Sequence, residues 1–69
     1  MNGEEFRATI KKVGMTQVEA AEFFGVNESS CRRWISGKYP IPKPVAVLLR
    51  MMDRKGLTPE NVQRYANQE

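Results

Sequence analysis

With 69 residues, the chain has room for one small domain, spanning 1–69, with a modest hydrophobic core. It contains no histidine and a single cysteine, Cys31, so we expect no intrachain disulfide, no metal site and no cofactor. Its net charge is +3. It has neither an apolar run long enough to span a membrane nor a signal-peptide pattern, which predicts a soluble, cytoplasmic protein that does not act at a membrane.

Positive charge is concentrated in the middle of the chain. Residues 25–50 contain five basic residues and one glutamate, a net charge of +4, whereas residues 1–24 carry −1 and residues 51–69 carry zero. A basic segment of this kind is typical of a surface that contacts nucleic acid. A solubilising surface with an uneven spread of charge has the same signature, and charge alone does not separate the two.

The first predicted helix begins after Asn2, a good helix cap, with Glu5 as its capping-box partner. It ends at Gly14. Its apolar residues have helical spacing and define one stripe that faces the core: Phe6, Ile10 and Val13. The sequence contains no alternating pattern typical of a strand. We therefore predict an all-α fold, a compact bundle of about five short helices.

The stretch 16–37 predicts two short helices joined by a tight turn. The second helix spans about 17–24 and begins with a capping box formed by Thr16 and Glu19. Gly25 lies at the corner, because a turn between helices that cross at a wide angle needs a residue that tolerates positive φ. The residues of the second helix expected to face the core are apolar or small: Ala20, Ala21, Phe23 and Phe24.

The third helix spans about 28–36, with Asn27 as its cap and Gly37 at its end. Cys31 and Trp34 are three residues apart and share an inward face. We expect both in the core, in preference to a reactive thiol or a surface that stacks on single-stranded nucleic acid. The outward face is polar and partly basic, and a helix with such a face fits into a DNA major groove. Its residues are Glu28, Ser29, Arg32 and Arg33.

The last third of the chain predicts two more helices after a proline-rich loop. Three of the four prolines lie in 38–44, which excludes a regular helix there. Pro44 fits the first turn of a fourth helix, and Thr58 and Pro59 begin a fifth. The inner face of the fifth helix is predicted to contain Val62, Tyr65 and Ala66.

Several residues of 16–37 together match a known pattern: Thr16-Gln17, Glu19-Ala20-Ala21, Gly25-Val26, Trp34 and Gly37. The segment resembles the Cro/C1-type (XRE) helix-turn-helix of phage and bacterial transcription regulators, within a lambda repressor-like DNA-binding domain. The resemblance implies a sequence-specific regulator that binds double-stranded DNA, a homodimeric repressor of a palindromic operator. It implies neither an enzyme nor a small-molecule ligand.

By this resemblance the third helix is the recognition helix, and four of its residues read base edges: Glu28, Ser29, Arg32 and Arg33. Arg33 is expected to donate two hydrogen bonds to guanine. Glu28 stands where glutamine is frequent in the family; it either accepts from cytosine N4 or favours the helix dipole as a first-turn acid. Arg32 either contacts DNA or forms an i, i+4 pair with Glu28.

A second set of residues is expected to bind phosphates: Gln17, Asn27, Lys38, Tyr39 and Lys43. Gln17 begins the second helix, which crosses the DNA backbone in the family, and helix N-termini bind phosphate readily. The cap role of Asn27 also accounts for that residue without DNA. Tyr39 either hydrogen-bonds a phosphate or packs on the proline-rich loop.

The fourth helix has more apolar surface than one small core needs. Val47 and Met51 form a second stripe on it, which predicts a homodimer interface that uses the fourth and fifth helices. The alternative is that the methionine fills a gap in an ordinary core. The alternative function is a protein-interaction module or antitoxin that uses the helix-turn-helix as a scaffold. An enzyme is the least favoured class, because the chain has no histidine, no glycine-rich phosphate loop and no identifiable catalytic residue.

Overall fold

The computed structural model describes residues 1–66 and contains five helices and no strand within that range. The helices are α1 (Gly3–Lys12), α2 (Gln17–Phe24), α3 (Glu28–Ser36), α4 (Lys43–Lys55) and α5 (Pro59–Ala66). The prediction of an all-α bundle is confirmed. None of these helices is long and apolar enough to cross a membrane, a finding that applies to residues 1–66.

Local signals in the sequence set most helix boundaries. The Thr16 side chain accepts from the Glu19 N–H, and the Glu19 carboxylate accepts from the Thr16 N–H, so the predicted capping box is formed. At α1, Asn2 accepts from the Glu5 N–H at 2.8 Å, but the reciprocal bond is not formed. The Glu5 carboxylate instead lies 3.9 Å from the Arg50 guanidinium.

The core is built around α1, which packs against α2, α3 and α4. The largest fully buried side chains are Phe6, Leu49, Met52 and Cys31. The Phe6 ring meets the Trp34 ring edge to face, with centroids 5.6 Å apart, which joins α1 to α3. On α2, Ala20 and Ala21 are buried as predicted, whereas Phe23 and Phe24 are only half-buried.

The first residue of α1 lies directly against the end of α3. A Cβ atom on Gly3 would overlap the carbonyl oxygen of Ile35 and would lie 2.8 Å from that of Trp34. Glycine therefore permits an approach of two helix backbones that any larger residue would prevent. The sequence analysis missed this contact, which fixes how the end of α3 rests on the first helix.

The predicted inner face of α5 is largely wrong. Val62 packs against the core, but Tyr65 is 71% exposed and Ala66 is also exposed. No residue of α5 is fully buried, because α1, α3 and α4 already enclose the core and only the start of α5 reaches it. Leu57, in the turn before α5, supplies the other contact with the core.

Candidate nucleic-acid interface

The turn between α2 and α3 contains three residues and is held by backbone hydrogen bonds. Gly25 adopts φ +70°, as predicted for the corner. The Val26 N–H donates to the Ala21 carbonyl at 2.9 Å, and Ala21 itself is buried. The small side chain lets the two helices approach closely, and the left-handed glycine turns the chain so that α3 begins three residues later.

The first turn of α3 is closed by Asn27. Its Oδ1 accepts from the Ser30 N–H at 3.1 Å, from the Ser29 hydroxyl at 2.6 Å and from the Ser30 hydroxyl at 3.1 Å. The predicted cap role is confirmed. Because phosphate oxygens accept hydrogen bonds and Oδ1 can only accept, a side-chain contact of Asn27 with a phosphate would use its NH₂ group.

The structure separates the inward and outward faces of α3 as predicted. Cys31 is fully buried and Trp34 is 7% exposed, so neither is available for chemistry or for stacking. The pKa of the Cys31 thiol is raised above its ordinary value, mainly by burial and secondly by the nearby charge of Glu28. Three residues of the outward face are exposed and one, Ser29, is half-buried; the exposed ones are Glu28, Arg32 and Arg33.

The alternative of an ion pair between Glu28 and Arg32 is not formed. Among residues 1–66 the structure contains two ion pairs, and both join α1 to α4: Lys12 with Asp53 at 3.6 Å and Arg50 with Glu5 at 3.9 Å. The charges of Glu28 and Arg32 are therefore presented to solvent on the outward face of α3.

Arg33 has a partner that the sequence analysis did not identify. Its guanidinium carbon lies 5.4 Å from the centroid of the Tyr39 ring, a cation–π geometry. The backbone brings the two together, because the Arg33 carbonyl accepts from the N–H groups of Lys38 at 3.0 Å and Tyr39 at 3.3 Å. These bonds form where Gly37 ends the helix, so Tyr39 folds back beside Arg33.

The first turn of α2 lies beside two basic residues of α1. Gln17 is half-buried and lines a shallow cleft together with Arg7 and Lys11, which are exposed. The backbone N–H groups at the start of α2 favour an anion, and the two cations add to this preference. Sequence reasoning missed Arg7 and Lys11 as site residues; their i, i+4 spacing was the available signal.

The Glu19 carboxylate is the negative group at the same helix terminus. Its hydrogen bonds with the backbone and side chain of Thr16 lower the pKa of Glu19 below its ordinary value. The carboxylate is thus held on the cap, where it closes the first turn of α2. Lys38 and Lys43, the remaining residues predicted to bind phosphate, are exposed on either side of the proline-rich loop.

The two residues predicted to form a dimer interface are exposed on α4. Val47 is 54% exposed and Met51 is 45% exposed. They line a shallow depression together with Arg50, Arg54 and Lys55. Their exposure is a condition for the predicted interface, which stays a prediction.

Comparison with protein-family models, with curated proteins and with solved structures gives no match. The likeness of 16–37 to Cro/C1-type regulators therefore stays a sequence-based prediction. Within residues 1–66, no group of three or more Cys, Asp or Glu side chains comes together in a way that could hold a metal ion.

Proposed function

We propose that this protein is a sequence-specific regulator that binds double-stranded DNA, a dimeric repressor that acts in the cytoplasm and at the nucleoid. The observation that carries the proposal is the two-sided arrangement of α3. Cys31 and Trp34 anchor one face in the core. The opposite face presents Glu28, Arg32 and Arg33 to solvent. A helix anchored in this way can enter a major groove while the core stays intact.

Base reading is assigned to the outward face of α3. Arg33 donates two hydrogen bonds to O6 and N7 of a guanine, a contact worth about 1–3 kcal/mol of discrimination. Tyr39, beneath the guanidinium, restricts the orientations of Arg33 before DNA arrives. Glu28 accepts from a cytosine N4 amino group, although its carboxylate repels phosphate.

Phosphate binding is assigned to the start of α2 and to the flanks of α3. Gln17 meets one phosphate with its backbone N–H and side chain, and Arg7 and Lys11 add charge at the same cleft. Lys38 and Lys43 contact the backbone on the other side of α3. Because each neutralised phosphate releases counterions, the affinity falls steeply as the salt concentration rises. A plot of log K for binding against log salt concentration should have a slope of about −0.9 per phosphate contacted.

A selection from a randomised duplex library at near-physiological salt tests this function. We expect a palindrome whose half-sites lie one helical turn, about 34 Å, apart. Arg33→Ala should lose the preference for one base in each half-site by roughly tenfold or more. Arg64→Ala is the matched control, because Arg64 is an exposed arginine of α5 that lines a cleft with Leu57, Asn61 and Tyr65 and with no residue of α3. An unenriched pool, or an Arg33→Ala variant with unchanged preference, would contradict the proposal.

The second candidate function is a protein-interaction module or antitoxin. The exposed Val47 and Met51 on α4 favour it, since contiguous apolar surface marks contact with another protein. Co-purification of one specific partner in stoichiometric amount, lost in Val47→Ser and Met51→Ser variants and combined with no duplex preference, would support this candidate over DNA binding.

A further inference from the structure

We propose that two copies of this protein associate reciprocally, with the α4 ridge of each copy seated in an acidic groove between α2 and α5 of the other. The α4 ridge is the exposed face of α4 that contains Val47, Arg50, Met51, Arg54 and Lys55, with a shallow depression between their side chains. The acidic groove is lined by the turn between α1 and α2, by α2 and by the start of α5, and its most relevant residues are Met15, Glu19, Glu22, Phe23 and Glu60. The inference rests on the dimer of the proposed function and specifies its contact.

The groove has the chemistry of a receptor for a basic, partly apolar helix. It encloses about 490 Å³, with Phe23 half-buried in it and carboxylates of Glu19, Glu22 and Glu60 along it. No lysine or arginine is among the described residues that line it. Glu22 and Glu60 form no ion pair within residues 1–66.

The ridge has the complementary chemistry. Val47 and Met51 are four residues apart on one face of α4 and about half-exposed. Arg54 and Lys55 extend that face with two cations that form no ion pair within residues 1–66, while Arg50 shares its charge with Glu5. A long methionine side chain adapts to an irregular apolar surface such as that around Phe23.

Charge favours ridge-to-groove contact over a seam in which α4 meets α4. A two-fold seam on Val47 and Met51 would bring the cations of both ridges together, and like charges across an interface oppose association. Seating the ridge in the groove pairs the same cations with three carboxylates. A second copy of the chain carries both surfaces, so it satisfies both contacts at once.

The positions of the two surfaces allow a closed dimer. They share no residue, so one copy can use both simultaneously. They are adjacent along the chain, since Lys55 of the ridge is followed three positions later by Thr58 of the groove. Two copies in which each ridge enters the other groove form an isologous contact, related by a two-fold axis. The outward face of α3 lies outside both surfaces and stays available.

Sedimentation equilibrium with two single charge reversals tests the contact. We expect Glu22→Arg and Arg54→Glu each to weaken dimerisation by about tenfold or more, because each change places like charges at both symmetric contacts. An equimolar mixture of the two variants should dimerise as tightly as wild type, since every ridge then meets a groove of opposite charge. Raising the salt concentration should weaken the wild-type dimer.

Two control variants with charge changes outside the ridge and the groove test whether the effect is specific to these surfaces. Glu4→Arg and Arg64→Glu make the same charge changes at exposed sites outside both surfaces and should leave dimerisation unchanged. Far-UV circular dichroism establishes that each variant is folded. A wild type that stays monomeric, or a mixture that shows no rescue, overturns the inference. An Arg54→Glu variant that dimerises more tightly overturns it in favour of an α4-to-α4 seam.

The DNA selection separates failure of this inference from failure of the proposed function. If the two charge-reversed variants dimerise together but the selection enriches no duplex, the dimer contact is supported and the DNA-binding proposal is refuted. If the selection enriches a palindrome but the mixture shows no rescue, the DNA-binding proposal is supported and the dimer contact is refuted.

Discussion

Replacing Gly3 with alanine tests the close approach of α1 to the end of α3. In an ordinary helix, Gly→Ala stabilises by about 0.5–1 kcal/mol, because glycine loses more backbone entropy on folding. At Gly3 the added methyl would overlap the carbonyl oxygen of Ile35 and would lie 2.7 Å from its carbonyl carbon. Backbone atoms at a helix end cannot rotate away as a flexible side chain can, so α1 and α3 have to separate.

The expected magnitude follows from these opposing effects. Overpacking of a rigid contact costs typically about 1–3 kcal/mol, and a backbone overlap belongs at the upper end of that range. After the gain in helix propensity, we expect Gly3→Ala to destabilise the fold by about 1–2 kcal/mol. For a domain of this size the melting temperature should fall by about 5–15 °C.

Thermal and urea unfolding followed by far-UV circular dichroism provide the assay. Ala8→Gly is the matched control, since Ala8 is exposed on the same helix and its change reports helix propensity alone. It should cost about 1 kcal/mol. If Gly3→Ala instead raised the melting temperature, propensity would dominate and the close approach of α1 to the end of α3 would be refuted.

Three further predictions concern the site and its supporting helices. In duplex titrations, Tyr39→Phe should keep the affinity of the wild type. Tyr39→Leu should lower the affinity about two- to fivefold, because it removes an exposed cation–π contact with Arg33. Equal losses in both variants would indicate that the hydroxyl binds phosphate instead. Thr16→Ala should cost about 1 kcal/mol in urea unfolding. It should also raise the pKa of Glu19 in NMR titration. In the wild type, the lowered pKa stabilises the fold at pH values above the pKa of the unfolded chain, and this stabilisation is lost as the pH falls through the folded pKa. The variant should show a smaller loss of stability over that pH range. The Cys31 thiol should react with Ellman's reagent only as fast as the protein unfolds, and rapid labelling of the native state would contradict its burial.

The parts of the fold that the sequence predicted well depend on interactions within a few residues. The Thr16–Glu19 capping box, the Asn27 cap and the left-handed Gly25 each involve groups close together in the chain. Their residue types are restricted by local geometry, so they fixed the ends of α2 and the start of α3. The inward spacing of Cys31 and Trp34 likewise follows from the helical period.

The parts that the sequence did not predict depend on contacts between distant segments. Helical periodicity identified an apolar face on α5, but not how far the core extends, so Tyr65 was wrongly expected inside. The approach of Gly3 to the end of α3 and the clustering of Arg7 with Gln17 need the packing of α1 to be known. The stacking of Arg33 on Tyr39 needs the conformation of the chain after the end of α3.

The structure also determines which variants can report on function. Arg33 and Trp34 are neighbours in α3, yet one is exposed and the other is packed against Phe6. Truncating a buried tryptophan costs about 3–5 kcal/mol, and a domain of this size has total stability of about 3–10 kcal/mol. Loss of DNA binding in a Trp34→Ala variant would therefore not separate a lost DNA contact from a destabilised fold. Arg33→Ala removes no core contact, so a change in its base preference would report on the interface itself.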